Sequence, residues 1–136
     1  MTYVVAYVAT AIVFLGLDAL WLSKVAFGMY RQELGGLLLD KPNLPIAGAF
    51  YLLYVGGIVV LAIVPALAEG GWSKALLLGA VLGLVAYGTY DITNLSTLKG
   101  WSVKLAIIDI AWGTALTAIS ATVGWWVVRL FNLQLA

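Results

Sequence analysis

The chain contains no cysteine and no histidine. The first absence excludes disulfides, thiolate nucleophiles and cysteine-ligated metals. The second removes the usual zinc and haem ligand and the side chain that titrates near neutral pH. Charge is also scarce, at 10% of 136 residues, where soluble domains carry about a quarter. The seven Lys and Arg are spread singly along the chain and form no basic face, which argues against nucleic acid as a partner. Any chemistry must therefore use carboxylates, hydroxyls, amides, Lys or Arg. A metal would have to be a hard cation held by oxygen, but no spacing motif marks such a site, and no motif names a cofactor.

What is present is apolar: 64% of residues are hydrophobic and the mean hydropathy is +1.07. Such a chain belongs in a bilayer. At about 20 residues per crossing, the length predicts an all-α polytopic membrane protein, with four transmembrane helices in an antiparallel bundle and one domain over 1–136. The spans fall at about 2–23, 44–67, 74–95 and 102–131. The first has no positive n-region and no Ala-x-Ala exit, so it reads as a retained helix rather than a signal peptide. Residues 24–45 mix charges and prolines with Phe27, Met29, Tyr30 and Leu34, which suggests a partly helical connection lying along the membrane surface. Ser73 is a candidate N-cap for the third span. Gly79 and Gly83, like Gly113, Thr117, Ser120 and Gly124, recur at helical steps that let helices approach closely.

Five of the seven cations, Lys24, Arg31, Lys41, Lys99 and Lys104, lie in or beside the connections between spans 1 and 2 and spans 3 and 4. The positive-inside rule then places both termini on the non-cytoplasmic side. Tyr and Trp near the span ends, Trp72 and Trp101 among them, fit interfacial belts. Aligning Asp18 with Asp91 also matches Phe14 to Tyr87 and Ser23 to Ser96, a faint internal repeat that spans 2 and 4 do not extend.

This topology gathers the intramembrane acids. Asp18 near the end of span 1, Asp91 near the end of span 3 and Asp109 near the start of span 4 share a depth of roughly 6–12 Å below the cytoplasmic boundary, and Tyr51 and Tyr54 of span 2 reach the same level. Asp18-x-x-Trp21 and Asp109-x-x-Trp112 put an indole on each acid's own stripe, while Gly83, Tyr87, Asp91 and Asn94 share one face. Such residues are costly in hydrocarbon and usually face a bundle interior or a water-filled route. The expected ligand-binding set is therefore Asp18, Trp21, Tyr51, Tyr54, Tyr87, Tyr90, Asp91, Thr93, Asn94, Asp109 and Trp112. Carboxylates brought together in a low dielectric do not all ionise cheaply, so one is expected to hold its proton unless a base intrudes; Lys24, Lys99 and Lys104 are the candidates in depth. The structural alternative is that Asp91-Ile92-Thr93-Asn94 merely ends a helix and that Asp18 pairs with a base such as Lys24.

The segments Tyr87-Gly88-Thr89-Tyr90-Asp91-Ile92-Thr93-Asn94, Leu17-Asp18-Ala19-Leu20-Trp21-Leu22, Phe50-Tyr51 and Asp109-Ile110-Ala111-Trp112-Gly113 resemble those of a group of small bacterial four-helix inner-membrane proteins of unknown function. Tyr-Gly-x-Tyr-Asp-x-Thr-Asn is that group's most recognisable segment. The resemblance covers almost the whole chain. It implies a bacterial multi-pass inner-membrane protein and a special status for Asp18, Asp91, Thr93, Asn94 and Asp109, and it supplies no activity.

Three function classes stay open. A binding or transport protein would use the acids for a proton, a cation or a small polar or cationic ligand. A lipid- or isoprenoid-modifying enzyme would use two of them as general acid and base, although no nucleophile motif or Asp-rich diphosphate site is present. An accessory subunit would dock its small-residue faces on a larger membrane complex or on a second copy of itself. Membrane lipids are partners in every case.

Overall fold

The computed structural model describes residues 1–133 and is all-helical over them, with four helical stretches long and apolar enough to cross a membrane. The first is α1 (Thr2–Leu20), continued through a π-helical turn (Trp21–Ala26) into α2 (Phe27–Leu34). The helix therefore does not stop at Ser23. It ends at Gly35, whose φ of +52° is open to glycine and strained for most other residues.

The second stretch starts at α3 (Leu44–Ile58), where the Asn43 side chain accepts a hydrogen bond from the Ile46 N–H at 3.2 Å and Pro45 occupies the first turn. Both are favourable there, because the first turn has unpaired N–H groups and no use for one more. A π-helical turn (Val59–Ile63) leads into α4 (Val64–Ala68). Pro65 accounts for that turn: it offers no N–H to the carbonyl of Leu61, and its ring would collide with that carbonyl in a regular α-helix.

Helix α5 (Gly71–Thr97) begins earlier than Ser73, at a left-handed Gly70, and the Ser73 hydroxyl donates to the Gly70 carbonyl at 3.3 Å instead of capping N–H groups. Helix α6 (Val103–Leu130) is capped by Ser102, which accepts from the Leu105 N–H at 3.1 Å.

Helix α6 is central. It packs along most of α5 and also along α1, while the second stretch packs on α1 through α3 and on α5 through its π-turn and α4. The α5–α6 contact depends on missing side chains: a Cβ on Gly79 or Gly83 would strike the α6 backbone at Thr117, Ala118, Gly113 or Thr114. The core is built from Phe14, Val55, Ile58, Ile63, Leu116, Ala121 and Val128. Large apolar residues such as Val8, Ile12, Leu53, Leu77, Val85 and Ile107 point outward, as expected where the solvent is hydrocarbon.

The second stretch is fixed at one end and free at the other. Near the termini, the Trp125 indole donates to the Ala66 carbonyl at 3.3 Å and Arg129 donates to the Leu67 carbonyl at 3.4 Å. Those carbonyls belong to the last turn of α4, where intrahelical donors run out. Toward the other end, α3 leans on α1 through Tyr7, whose hydroxyl donates to the Leu52 carbonyl at 2.8 Å, and it barely touches α5.

Candidate functional site

The gap between α3 and α5 is a cavity of about 610 Å³, within the range of small-molecule sites. Tyr51 and Tyr54 of α3 line it on one side, Tyr87, Tyr90 and Asp91 of α5 on another, and Asp109 of α6 forms its back; Tyr30, Leu34 and Leu38 of the first connection and Trp101 close the end remote from the termini. Asp91 and Asp109 lie six residues inside the ends of their helices, or about 9 Å.

Asp109 accepts a hydrogen bond from the Tyr30 hydroxyl at 2.8 Å. Asp18 accepts one from the Trp112 indole at 3.2 Å. Asp91 differs from both. It is 0% exposed, and neither of its oxygens has a hydrogen-bond partner among the described residues. Asp109 and the Trp101 indole lie close enough to act on it electrostatically, without a hydrogen bond to either. Asp18 and Asp109 also lie within each other's field.

The aromatic residues are arranged across helices. Trp112 of α6 serves Asp18 of α1 rather than Asp109 on its own stripe, and it stacks on Trp21 with ring centroids 4.4 Å apart and planes at 7°. Phe14 sits edge-on to Tyr51 at 5.7 Å and tilted against Tyr54 at 5.4 Å. Tyr54 in turn shares a hydrogen bond of 2.9 Å with Thr117 and meets Tyr87 edge-on at 6.2 Å. Of these, Tyr51, Tyr54 and Tyr87 line the cavity, with Tyr54 and Tyr87 as its floor. Tyr87 is held in place by Gly113, where any Cβ would overlap its ring.

Of the residues singled out in the sequence, Tyr51, Tyr54, Tyr87, Tyr90, Asp91 and Asp109 line the cavity. Asp18, Trp21 and Trp112 form a hydrogen-bonded, stacked layer outside the lining. Asn94 is half-buried beside Tyr90. Thr93 is exposed, and its carbonyl accepts from the Thr97 hydroxyl at 2.7 Å. None of the lysines lines the cavity: Lys104 pairs with Glu33 at 4.0 Å near the surface. Among the described residues, no three acidic side chains converge as a metal ion requires.

Sequence reasoning missed Tyr30, Trp101 and Phe50. Tyr30 lies twelve residues after Asp18, which on a regular helix is about 120° away. The π-turn at Trp21–Ala26 inserts one residue into the count, leaving an effective eleven and an offset of about 20°. The signal available was the spacing of Tyr30 and Leu34, four residues apart and so on one helical face.

Comparison with protein families matches residues 3–126 to the family described as "Predicted membrane protein (DUF2177)". The chain belongs to this family. Comparison with curated proteins and with solved structures finds no match. Membership in the DUF2177 family agrees with the four spans and brings no reaction or ligand with it, so the chemistry of the cavity has to be argued from its own residues.

Proposed function

We propose that the protein is a binding or transport protein of the bacterial inner membrane that takes a small cationic ligand, or a proton in its place, at Asp91 and Asp109. One observation carries the reading: a carboxylate with two unpartnered oxygens lies fully buried at the wall of a cavity that no Lys or Arg lines. A buried acid without an internal base needs a proton or an external cation to offset its charge. The surrounding tyrosines and Trp101 favour an organic cation, because ring faces attract cationic groups. Lys24, Arg31, Lys41, Lys99 and Lys104 flank the end that holds the cavity, so the positive-inside rule turns that end to the cytoplasm and the termini away from it.

A second reading, a lipid- or isoprenoid-modifying enzyme with Asp91 and Asp109 as acid and base, draws on the adjacency of those two carboxyls. The accessory-subunit reading has less support, since Gly79, Gly83, Gly113 and Gly124 all face other helices of the same chain.

Calorimetric titration of the nanodisc-reconstituted protein with tetramethylammonium tests the first reading. The wild type is expected to bind, and Asp91→Asn to bind at least about tenfold more weakly, the loss typical of a removed charged partner. Equal affinities in wild type, Asp91→Asn and Asp109→Asn would refute it. For the enzyme reading, identical lipid extracts from wild-type and Asp109→Asn strains would count against catalysis.

A further inference from the structure

We infer that the cavity is loaded sideways from the bilayer and that its ligand is a single-chain amphiphile with a cationic head. The head sits beside Asp91 and Asp109, and the chain lies in the slot between α3 and α5 and passes Phe50 and Tyr90 into the lipid. This rests on the cationic-ligand reading above and goes beyond it by naming the ligand's shape and its route.

Three observations converge. The first is the shape of the slot. Helices α3 and α5 are joined at the terminal end through α4 and its preceding π-turn but hardly meet over the first half of α3, so the wedge between them is open on its outer side. Its rim consists of Phe50, 60% exposed, Tyr90, 55% exposed, and Thr89. Phe50 is six residues into α3 and Tyr90 seven before the end of α5, so the rim lies about 9–10 Å inside the helix ends. At that depth the bundle's surroundings are hydrocarbon, not water.

The second is closure along the axis. Leu34, Leu38 and Trp101 lie across the end remote from the termini, and Trp101 meets Tyr90 edge-on at 5.7 Å. The floor, formed by Tyr54 and Tyr87, is ten residues inside both helices, about 15 Å and half the hydrocarbon thickness. The open wedge between α3 and α5 therefore gives the acids a lateral approach.

The third is the division of polarity. Asp91 on the α5 side and Asp109 at the back are the only acids in the lining, which holds no Lys or Arg among the described residues, and the remainder is mostly ring and aliphatic surface. The one nearby lysine with an ion pair, Lys104, faces outward at 66% exposure, against Glu33. Charge complementarity calls for a cationic head, while the open apolar slot suits a chain that is already dissolved in the membrane. A compact hydrophilic cation would have to cross hydrocarbon to reach the same rim.

The test compares tetramethylammonium, decyltrimethylammonium and decyl sulfate in nanodiscs, with partitioning measured in protein-free discs and subtracted. With affinities referred to the aqueous ligand concentration, decyltrimethylammonium is expected to bind about a hundredfold more tightly than tetramethylammonium, the gain that roughly four methylene groups removed from water supply. Decyl sulfate is expected not to bind, and Asp91→Asn to weaken both cations. Because the chain has no cysteine, Phe50→Cys provides a single thiol on the rim. Alkylating it with pyrenyl maleimide should weaken decyltrimethylammonium at least tenfold and leave tetramethylammonium unchanged, with unmodified Phe50→Cys as the reference.

Equal affinity for the two cations would overturn the amphiphile while leaving a cation site in place. Failure of both cations to bind would remove the cation reading along with it. Decyl sulfate binding as well as decyltrimethylammonium would overturn the cationic head. A pyrenyl adduct without effect would overturn the lateral route.

Discussion

Replacing Gly83 by alanine probes the contact that positions both acids of the cavity, and Gly88→Ala on the same helix serves as its control. A Cβ on Gly83 would stand 2.5 Å from the Gly113 carbonyl oxygen and 2.9 Å from Thr114 Cα and Thr117 Cβ. Two of these three atoms are backbone, so no rotamer change relieves the overlap. Carbon atoms prefer about 3.5–4.0 Å, and restoring that spacing requires α5 and α6 to separate by roughly 0.6–1 Å. A gap of that size forfeits about a quarter to a half of the dispersion energy at each contact, along the most extensive helix pair in the molecule. Overpacking of this kind typically costs about 1–3 kcal/mol. Alanine also gains about 1 kcal/mol over glycine in a helix interior, which partly masks the cost.

At Gly88 a Cβ meets nothing within 4 Å, so only the propensity gain remains. Since both variants share that gain, the difference between them isolates the packing cost, about 1–3 kcal/mol in favour of Gly88→Ala. Equilibrium unfolding in mixed dodecyl sulfate micelles, followed by circular dichroism, measures the difference directly. If Gly83→Ala matched Gly88→Ala in stability, the α5–α6 register and the position of Asp91 against Asp109 that depends on it would both be wrong.

Two other substitutions test the layers around the cavity. Trp112→Phe removes the 3.2 Å donor to Asp18 and retains a ring for Trp21; it should lower stability by about 1–2 kcal/mol in the same unfolding assay, and an unchanged midpoint would show that the bond contributes nothing. Tyr30→Phe removes the 2.8 Å bond that ties α2 to Asp109, so backbone amide exchange over residues 27–38 should speed up by about tenfold, the equivalent of about 1.4 kcal/mol, while exchange in α6 stays slow. Uniform exchange in both proteins would show that α2 is held by its other contacts.

Much of the fold was legible from composition and run length. Four apolar stretches of spanning length, with few polar breaks, have no other stable arrangement than membrane-crossing helices, because backbone groups in hydrocarbon must be satisfied within the segment. The caps were not legible in the same way: Ser73 was the expected N-cap, whereas the structure caps helices with Asn43 and Ser102 and turns the Ser73 hydroxyl onto the Gly70 carbonyl. Gly79 and Gly83 announced a close helix contact, and their partner proved to be α6.

The cavity was legible only in part, because its geometry depends on phase and on helix splay. Residue counts place Asp91 and Asp109 six residues inside their helix ends, since rise per residue is nearly constant, but the count for Asp18 started from Ser23, where the helix does not end. Which ring meets which acid cannot be read that way. Own-stripe spacing paired Trp112 with Asp109, whereas packing of α1 against α6 gives Trp112 to Asp18 and leaves Asp109 to Tyr30. One π-turn, with no proline to announce it, rotates everything beyond Ala26 by about a residue's worth of phase.

The sequence by itself determined the apolar medium, the number of spans and the places of Asp91 and Asp109 six residues inside their helices, because transfer free energy and helical rise act residue by residue. Only the tertiary structure decided that Asp91 is left without a hydrogen-bond partner, that no lysine reaches it, and that α3 stands away from α5 to leave an open slot. Those outcomes follow from how separate helices meet, which no local pattern in the chain encodes.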